Sequence, residues 1–173
     1  IACASFPLAK SLPEVETYLS ALAKEPHDYQ TVVIDSLDWL EQLIWEDLCR
    51  VSGDSYIEEV GGGFGKGYVK AVGYWRHILE LTNTLHKDRG MAVILIAHAK
   101  VERFEDPESN AYDRYSPRLN KHASAAITEW VDAILFARRN FSTKNEDLGF
   151  GRERTIAVGI GKDGGERKLR TIG

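Results

Sequence analysis

Along the chain, stretches in which apolar residues return every three or four positions alternate with short runs that are apolar throughout. Val15, Tyr18, Leu19 and Leu22 form the first helical stripe. Ser11 as a cap, Pro13 at an early helical position and Glu14 closing a capping box predict where that helix starts, and residues 25–28 end it. Thr31 to Ile34 is a β-branched run that predicts a buried strand. A second helix is expected from about Ser36, with Leu40, Leu43, Ile44 and Leu48 on one face. Gly61 to Gly67 is too rich in glycine for regular structure, because each glycine has so much backbone freedom to lose. Helical spacing returns from about Tyr68 to Lys87 (Val72, Trp75, Leu79, Leu85), and Gly90 suits its stop.

Met91 to Ala97 predicts a second fully buried strand. Val101 to Asn120 is long, polar and without a period, with Pro107 and Pro117 inside it, and reads as a functional or mobile loop. His122 to Val131 is expected to be helical and Ala133 to Arg138 a third strand. Arg154 to Ile160 and Arg167 to Ile172 are expected to form a hairpin through the turn at 162–165. Apolar strands alternating with helices predict an α/β fold, a mainly parallel sheet flanked by helices with an antiparallel hairpin at its C-terminal end.

Composition narrows the class. At 173 residues the chain suits a single domain, and a chain near that size buries about 70% of its unfolded surface. Apolar residues make up 43% and charged residues 28%, ordinary for a globular protein. No apolar run nears the ~18 residues of a membrane span. The net charge of -4 argues against a generally basic nucleic-acid coat, so such contacts would come from local segments. Cys3 and Cys49 form neither a metal motif nor a disulfide framework, and a reducing cytoplasm is expected. The start at Ile1, with no basic segment before an apolar one, reads as a fragment or a processed product.

Two strand ends carry the candidate chemistry. Thr31 to Asp35 is an apolar strand ending in a carboxylate, followed by Ser36. The carboxyl edge of a parallel sheet is where α/β folds bind ligands, and a carboxylate there can hold hydrated Mg²⁺ beside a nucleotide's phosphates. An Asp after a strand is also a common helix cap. Met91 to His98 likewise ends in a polar residue. On a neighbouring parallel strand, His98 would stand beside Asp35 around a terminal phosphate, or would simply cap the sheet. His27, His77, His86 and His122 have no metal-ligand spacing.

The order of these features is similar to the RecA core, and the wording resembles phage AAA-type nucleotide-binding proteins, among them RecA-like single-strand annealing proteins. The matching stretches are residues 34–40 (Ile34, Asp35, Ser36 to Leu40), 65–68, 93–98, 103–107, 112–115 and Glu129-Trp130, which together span about residues 28 to 140. The resemblance implies a RecA-like P-loop NTPase core over residues 1–173 with ATP and Mg²⁺ as cofactors. It assigns Asp35 to the Walker B carboxylate, with Ser36 beside it at the nucleotide, and His98 to the γ-phosphate sensor, where RecA has Gln. The phosphate loop Gly-x-x-x-x-Gly-Lys-Ser/Thr is not among the 173 residues. Gly61 to Gly67 does not supply it: Val60 stands at the first Gly, Gly67 at the hydroxyl residue, and the stretch follows the Walker B strand instead of preceding it. The loop and the family's catalytic Glu are expected ahead of Ile1, since Glu14 and Glu16 sit on a helix.

The same resemblance puts 61–70 and 101–121 at the positions of RecA's two DNA-binding loops. Lys66, Tyr68 and Lys70 lie in the first, and Arg103, Phe104, Tyr112, Arg114, Tyr115 and Arg118 in the second. Aromatic faces can stack bases while cations meet phosphates. The second segment holds four cations against five anions, a net -1, so a packed surface loop or a subunit contact stays open. Lys162 falls roughly where RecA offers a lysine to the neighbouring subunit's phosphates, or is a solvated turn lysine. The function expected of the complete parent, a phage protein in a bacterial host's cytoplasm, is ATP-dependent single-stranded DNA binding, annealing or recombination as a homo-oligomer, with this chain alone inactive. The alternatives are a non-catalytic nucleic-acid or protein binding module and a hexameric helicase-type ATPase.

Overall fold

A computed structural model describes residues 3–105, 107, 110–147, 153–159 and 166–171. The chain divides into two compact units, Ile1–Trp130 and Val131–Gly173. The first holds α1 (Leu12–Lys24), β1 (Thr31–Asp35), α2 (Leu37–Ser52), α3 (Lys66–Arg89), β2 (Ala92–Ile96), β3 (Ala99–Phe104), β4 (Tyr112–Pro117) and α4 (Lys121–Trp130). Its fold is α/β. Among the described residues no helix is long and apolar enough to cross a membrane.

α3 is the spine. Ala71, Trp75, Ile78, Leu79, Thr82 and Leu85 are buried along it, and it packs against α1, α2 and α4. Those helices contribute Leu12, Leu19 and Leu22, then Leu37, Leu40, Ile44 and Leu48, then Ala123 and Ile127. The heptad-like return of apolar residues is thus read out directly as a helical core. Leu43, expected on the buried face of α2, is only half-buried. α1 starts after Ser11 with Pro13 in its first turn, but the Ser11 side chain makes no capping bond. Glu14 instead accepts from the Lys10 N–H at 2.9 Å, so the expected capping box is replaced by a carboxylate reaching one residue further back. Gly90 ends α3 at φ 66°, a conformation that glycine adopts without penalty.

β1 and β2 pair in parallel, with Thr31 opposite Ala92 and Asp35 opposite Ile96. Both were expected to be fully buried, and the structure corrects this. Val33, Ile94 and Ile96 are 50%, 48% and 40% exposed on one face, while Val32, Ile34, Val93 and Leu95 are half-buried on the other. Only one face of this ribbon is covered. The segment 101–120 is corrected as well. It is a hairpin rather than an irregular loop: β3 pairs antiparallel with β4, from Ala99–Pro117 to Phe104–Tyr112. Cross-strand charge and aromatic pairs stabilise that ladder without any apolar alternation that periodicity would detect.

The regular elements of the second unit among its described residues are all strands: β5 (Leu135–Arg139), β6 (Phe141–Asp147), β7 (Glu153–Gly159) and β8 (Arg167–Thr171). The third parallel strand expected at 133–138 is β5, and it pairs antiparallel with β8. The expected hairpin between 154–160 and 167–172 is not formed either. β7 pairs with β6 along seven residues, leaving β8 to β5. β6, Phe-Ser-Thr-Lys-Asn-Glu-Asp, is too polar to announce itself as the nearer partner.

Candidate functional site

β1 delivers Asp35 to the carboxyl edge of the ribbon, where the residue is exposed. The Asp35–Ser36 peptide is cis. Ser36 then caps α2 through its backbone: its carbonyl accepts from Trp39 N at 3.2 Å and Leu40 N at 3.1 Å. The Ser36 side chain is buried, and its hydroxyl lies close enough to Asp38 to help hold that carboxyl low. On the neighbouring strand, His98 lies two residues beyond Ile96, the residue in register with Asp35. Asp35 therefore ends one of two adjacent parallel strands, and His98 follows the end of the other.

The structure adds a carboxylate that the sequence reading passed over. Asp38, on the first turn of α2, is 8% exposed. Its Oδ1 accepts from the His98 backbone N–H at 3.2 Å, and the His98 ring Nδ1 lies 3.0 and 2.9 Å from its two oxygens. Arg118, just after β4, donates from Nη2 to Asp38 Oδ2 at 2.8 Å, and its backbone N–H donates to the His98 carbonyl at 2.7 Å. Burial pushes the Asp38 carboxyl up, but Arg118 and His98 outweigh it and hold it well below the usual carboxylate range. One turn on, Glu41 is buried and accepts the Asn120 N–H at 3.0 Å on both oxygens. Burial raises its pKa, against the Asn120 bond and the nearby Lys100. Lys100 Nζ meanwhile donates to the Leu119 carbonyl at 2.9 Å. Residues 118–120 are thus pinned to α2 by two acids.

A signal for these acids was present. Asp38 and Glu41 stand three apart inside the apolar stripe of Leu37, Leu40, Ile44 and Leu48. A buried charge survives only when paired, so a carboxylate within a core face announces partners elsewhere in the chain. Beside them opens a cleft of about 670 Å³ walled by Trp39, Trp45, Tyr68 and Arg118.

The remaining candidates are dispersed. Lys66, Tyr68 and Lys70 occupy the first turns of α3. Tyr68 donates its hydroxyl to Glu58 at 2.5 Å and meets Trp45 edge-on at 5.3 Å. The Glu58 bond, with burial, pushes the Tyr68 phenol up to about 12. Gly67 is a packing glycine, because a Cβ there would collide with the Ile57 carbonyl oxygen. In the hairpin, partners across an antiparallel ladder share a face. Phe104, Tyr112 and Arg114 therefore lie on one side with Glu102, and Arg103 and Tyr115 on the other with Val101 and Asp113. Arg114 sits 4.0 Å over the Phe104 ring and 3.0 Å from Glu102, while Arg103 reaches Asp113 at 3.7 Å. Lys162 lies outside the described residues.

For Mg²⁺ and ATP, the exposed Asp35 carboxylate at a strand end suits a water-mediated magnesium contact. Among the described residues no three His, Cys, Asp or Glu side chains cluster as a metal site, so the magnesium assignment rests on Asp35. A family model described as an AAA domain matches residues 1–168. The chain belongs to that family. Its members are P-loop ATPases, which makes this AAA domain one of a nucleotide-binding class and accords with ATP and Mg²⁺ as cofactors. No curated protein and no solved structure matches the chain.

Proposed function

We propose that this AAA domain is the magnesium-holding and phosphate-reading part of a RecA-like ATPase of the phage type, one that binds or anneals single-stranded DNA. The observation carrying this reading is the edge of the β1–β2 ribbon, where Asp35 ends β1 opposite Ile96 and His98 follows two residues after the end of β2. A RecA-like parallel sheet larger than this pair is part of the proposal. Its support is the bare face of Val33, Ile94 and Ile96, since parallel strands are ordinarily covered on both sides.

Asp35 would hold Mg²⁺ through water, Ser36 would lie against the same ligand, and His98 would sense the terminal phosphate. Bound Mg-ATP supplies a phosphoryl group for transfer to water. Turnover is proposed for a protein that joins this domain to a phosphate loop, because Gly61 to Gly67 does not provide one. Single-stranded DNA and further copies of the chain are the proposed partners. One observation favours a second role for the hairpin, as a protein contact: Arg103, Arg114 and Arg118 each face an acid of this chain. The test is ATP hydrolysis by the loop-bearing protein, with and without single-stranded DNA. DNA-stimulated turnover that falls at least tenfold in Asp35→Asn, about 1.4 kcal/mol of barrier, is expected. Undiminished turnover in that variant would remove Asp35 from the site.

A further inference from the structure

A neutral imidazole carries a proton on only one of its two nitrogens. Nδ1 of His98 lies against both oxygens of Asp38, at 3.0 and 2.9 Å. Asp38 is held ionised by its partners and can only accept, so Nδ1 must be the donor. The ring cannot readily trade this arrangement for another, because its backbone is tied on both sides. His98 N–H donates to Asp38, and the His98 carbonyl accepts from Arg118 N–H. Neutral His98 therefore presents a lone pair at Nε2. A lone pair repels a phosphate oxygen, whereas an Nε2–H attracts one.

We propose that Asp38 is a positioning residue that makes His98 a proton-linked phosphate reader, the ring taking one proton from solvent at Nε2 as it engages a terminal phosphate and returning it on release. This rests on the reading of His98 as the phosphate sensor and specifies how that sensor works. The charged group in contact with the ring is Asp38 from α2, whose Oδ2 is also held by Arg118 after β4, while Lys100 on β3 turns its amine to the Leu119 carbonyl. With Asp38 gone, the neutral ring is released to carry its proton on Nε2 and meets phosphate without taking up another. The carboxylate thus sets the pH dependence of the contact more than its strength.

Nitrogen-15 imidazole spectra of the 173-residue chain test this directly, first at about pH 8.5, where an unperturbed histidine is neutral. His98 is expected as the Nδ1–H tautomer in the wild type and in Asp38→Asn, whose amide oxygen still accepts. In Asp38→Ala it is expected as Nε2–H. Both ring and guanidinium are more than half exposed and can hydrate, so the alanine variant keeps its fold, and the asparagine variant provides a second comparison. Inorganic triphosphate is then titrated into the loop-bearing protein from about pH 6 to 8, following the same resonances. Wild-type affinity at His98 should fall with pH more steeply than that of Asp38→Ala, which shares the triphosphate's own titration, the difference approaching roughly tenfold per pH unit, the limit for one linked proton. A wild-type Nε2–H tautomer, or a wild-type profile no steeper than the alanine variant's, overturns the inference. If the tautomers behave as expected and triphosphate leaves His98 undisturbed at every pH, the sensor reading itself fails and the proton linkage with it.

Discussion

The two buried acids of α2 should respond to neutralisation in opposite ways. Asp38 receives three donors from two residues: the His98 ring, the His98 backbone and Arg118. Asp38→Asn keeps one acceptor but loses the charge, which removes about one charge-assisted bond's worth of stability, ~1.5–3 kcal/mol. Because His98 and Arg118 are more than half exposed and partly screened, the lower end applies. The expected loss is about 2 kcal/mol at pH 7, or roughly 4–8 °C in Tm for a chain of this size. Glu41→Gln should stay within about 0.5 kcal/mol of wild type, because burial already disfavours the Glu41 charge and an amide oxygen still accepts from Asn120.

The pH trends separate the two further. Asp38's folded pKa is depressed, so its contribution is complete above the unfolded value, near 3.8, and is lost as pH falls below it. The gap between wild type and Asp38→Asn should therefore close on acidification. Glu41's folded pKa is raised above 4.5, so the folded state takes up its proton first. Its charge weighs against folding at neutral pH, and wild type should gain on Glu41→Gln as pH drops toward 4.5. Urea unfolding followed by tryptophan fluorescence at several pH values measures both. Asp38→Asn as stable as wild type at pH 7, or a gap unchanged in acid, would refute the view that this clasp of Asp38 with His98 and Arg118 stabilises the fold.

Gly67→Ala forces a Cβ into the Ile57 carbonyl oxygen and should cost about 2–3 kcal/mol, comparable with an overpacked core, read by the same unfolding assay. Residues 1–173 alone should bind Mg-ATP no tighter than roughly millimolar by calorimetry, because Asp35 acts on phosphates that a separate loop must cradle. In the loop-bearing protein, the single variants Tyr112→Ala and Tyr115→Ala should differ in their effect on single-strand affinity. They lie on opposite faces of the hairpin, and only the one stacking a base forfeits the ~1–3 kcal/mol of that contact. Equal and negligible losses, together with lost self-association, would assign the hairpin to a subunit contact.

Much of the first unit was legible because its helices announce themselves by period. Trp75, Leu79 and Leu85 were read as a face and are buried as one. The two strand ends were legible because each closes an apolar run, and the parallel register sets Asp35 beside Ile96, two residues before His98. What failed was of another kind. The β3–β4 hairpin is held by Glu102 opposite Arg114 and Arg103 opposite Asp113, and such pairs look in sequence like an aperiodic polar loop. β6 was invisible for the same reason, and its absence from the reading sent β7 to the wrong partner. Asp38 was missed because its meaning lies sixty and eighty residues away, in His98 and Arg118. No local window contains that information.

The pairing of the cations bears directly on what the hairpin can do. A basic loop gains single-strand affinity by releasing counterions, one share for each phosphate it neutralises. Arg103, Arg114 and Arg118 already face Asp113, Glu102 and Asp38. To meet a phosphate, each must share its guanidinium with the acid or leave it, and for Arg118 leaving also loosens the carboxylate that orients His98. Arg114 has a further tie, the Phe104 ring beneath it. Strand binding on this hairpin would accordingly be weak in the isolated chain, with a shallow salt dependence. It would also be felt at the strand edge where Asp35 and His98 stand. The same clasp that lowers affinity for DNA is what would let DNA and phosphate report on each other, because Arg118 and His98 hold the two oxygens of one buried carboxylate.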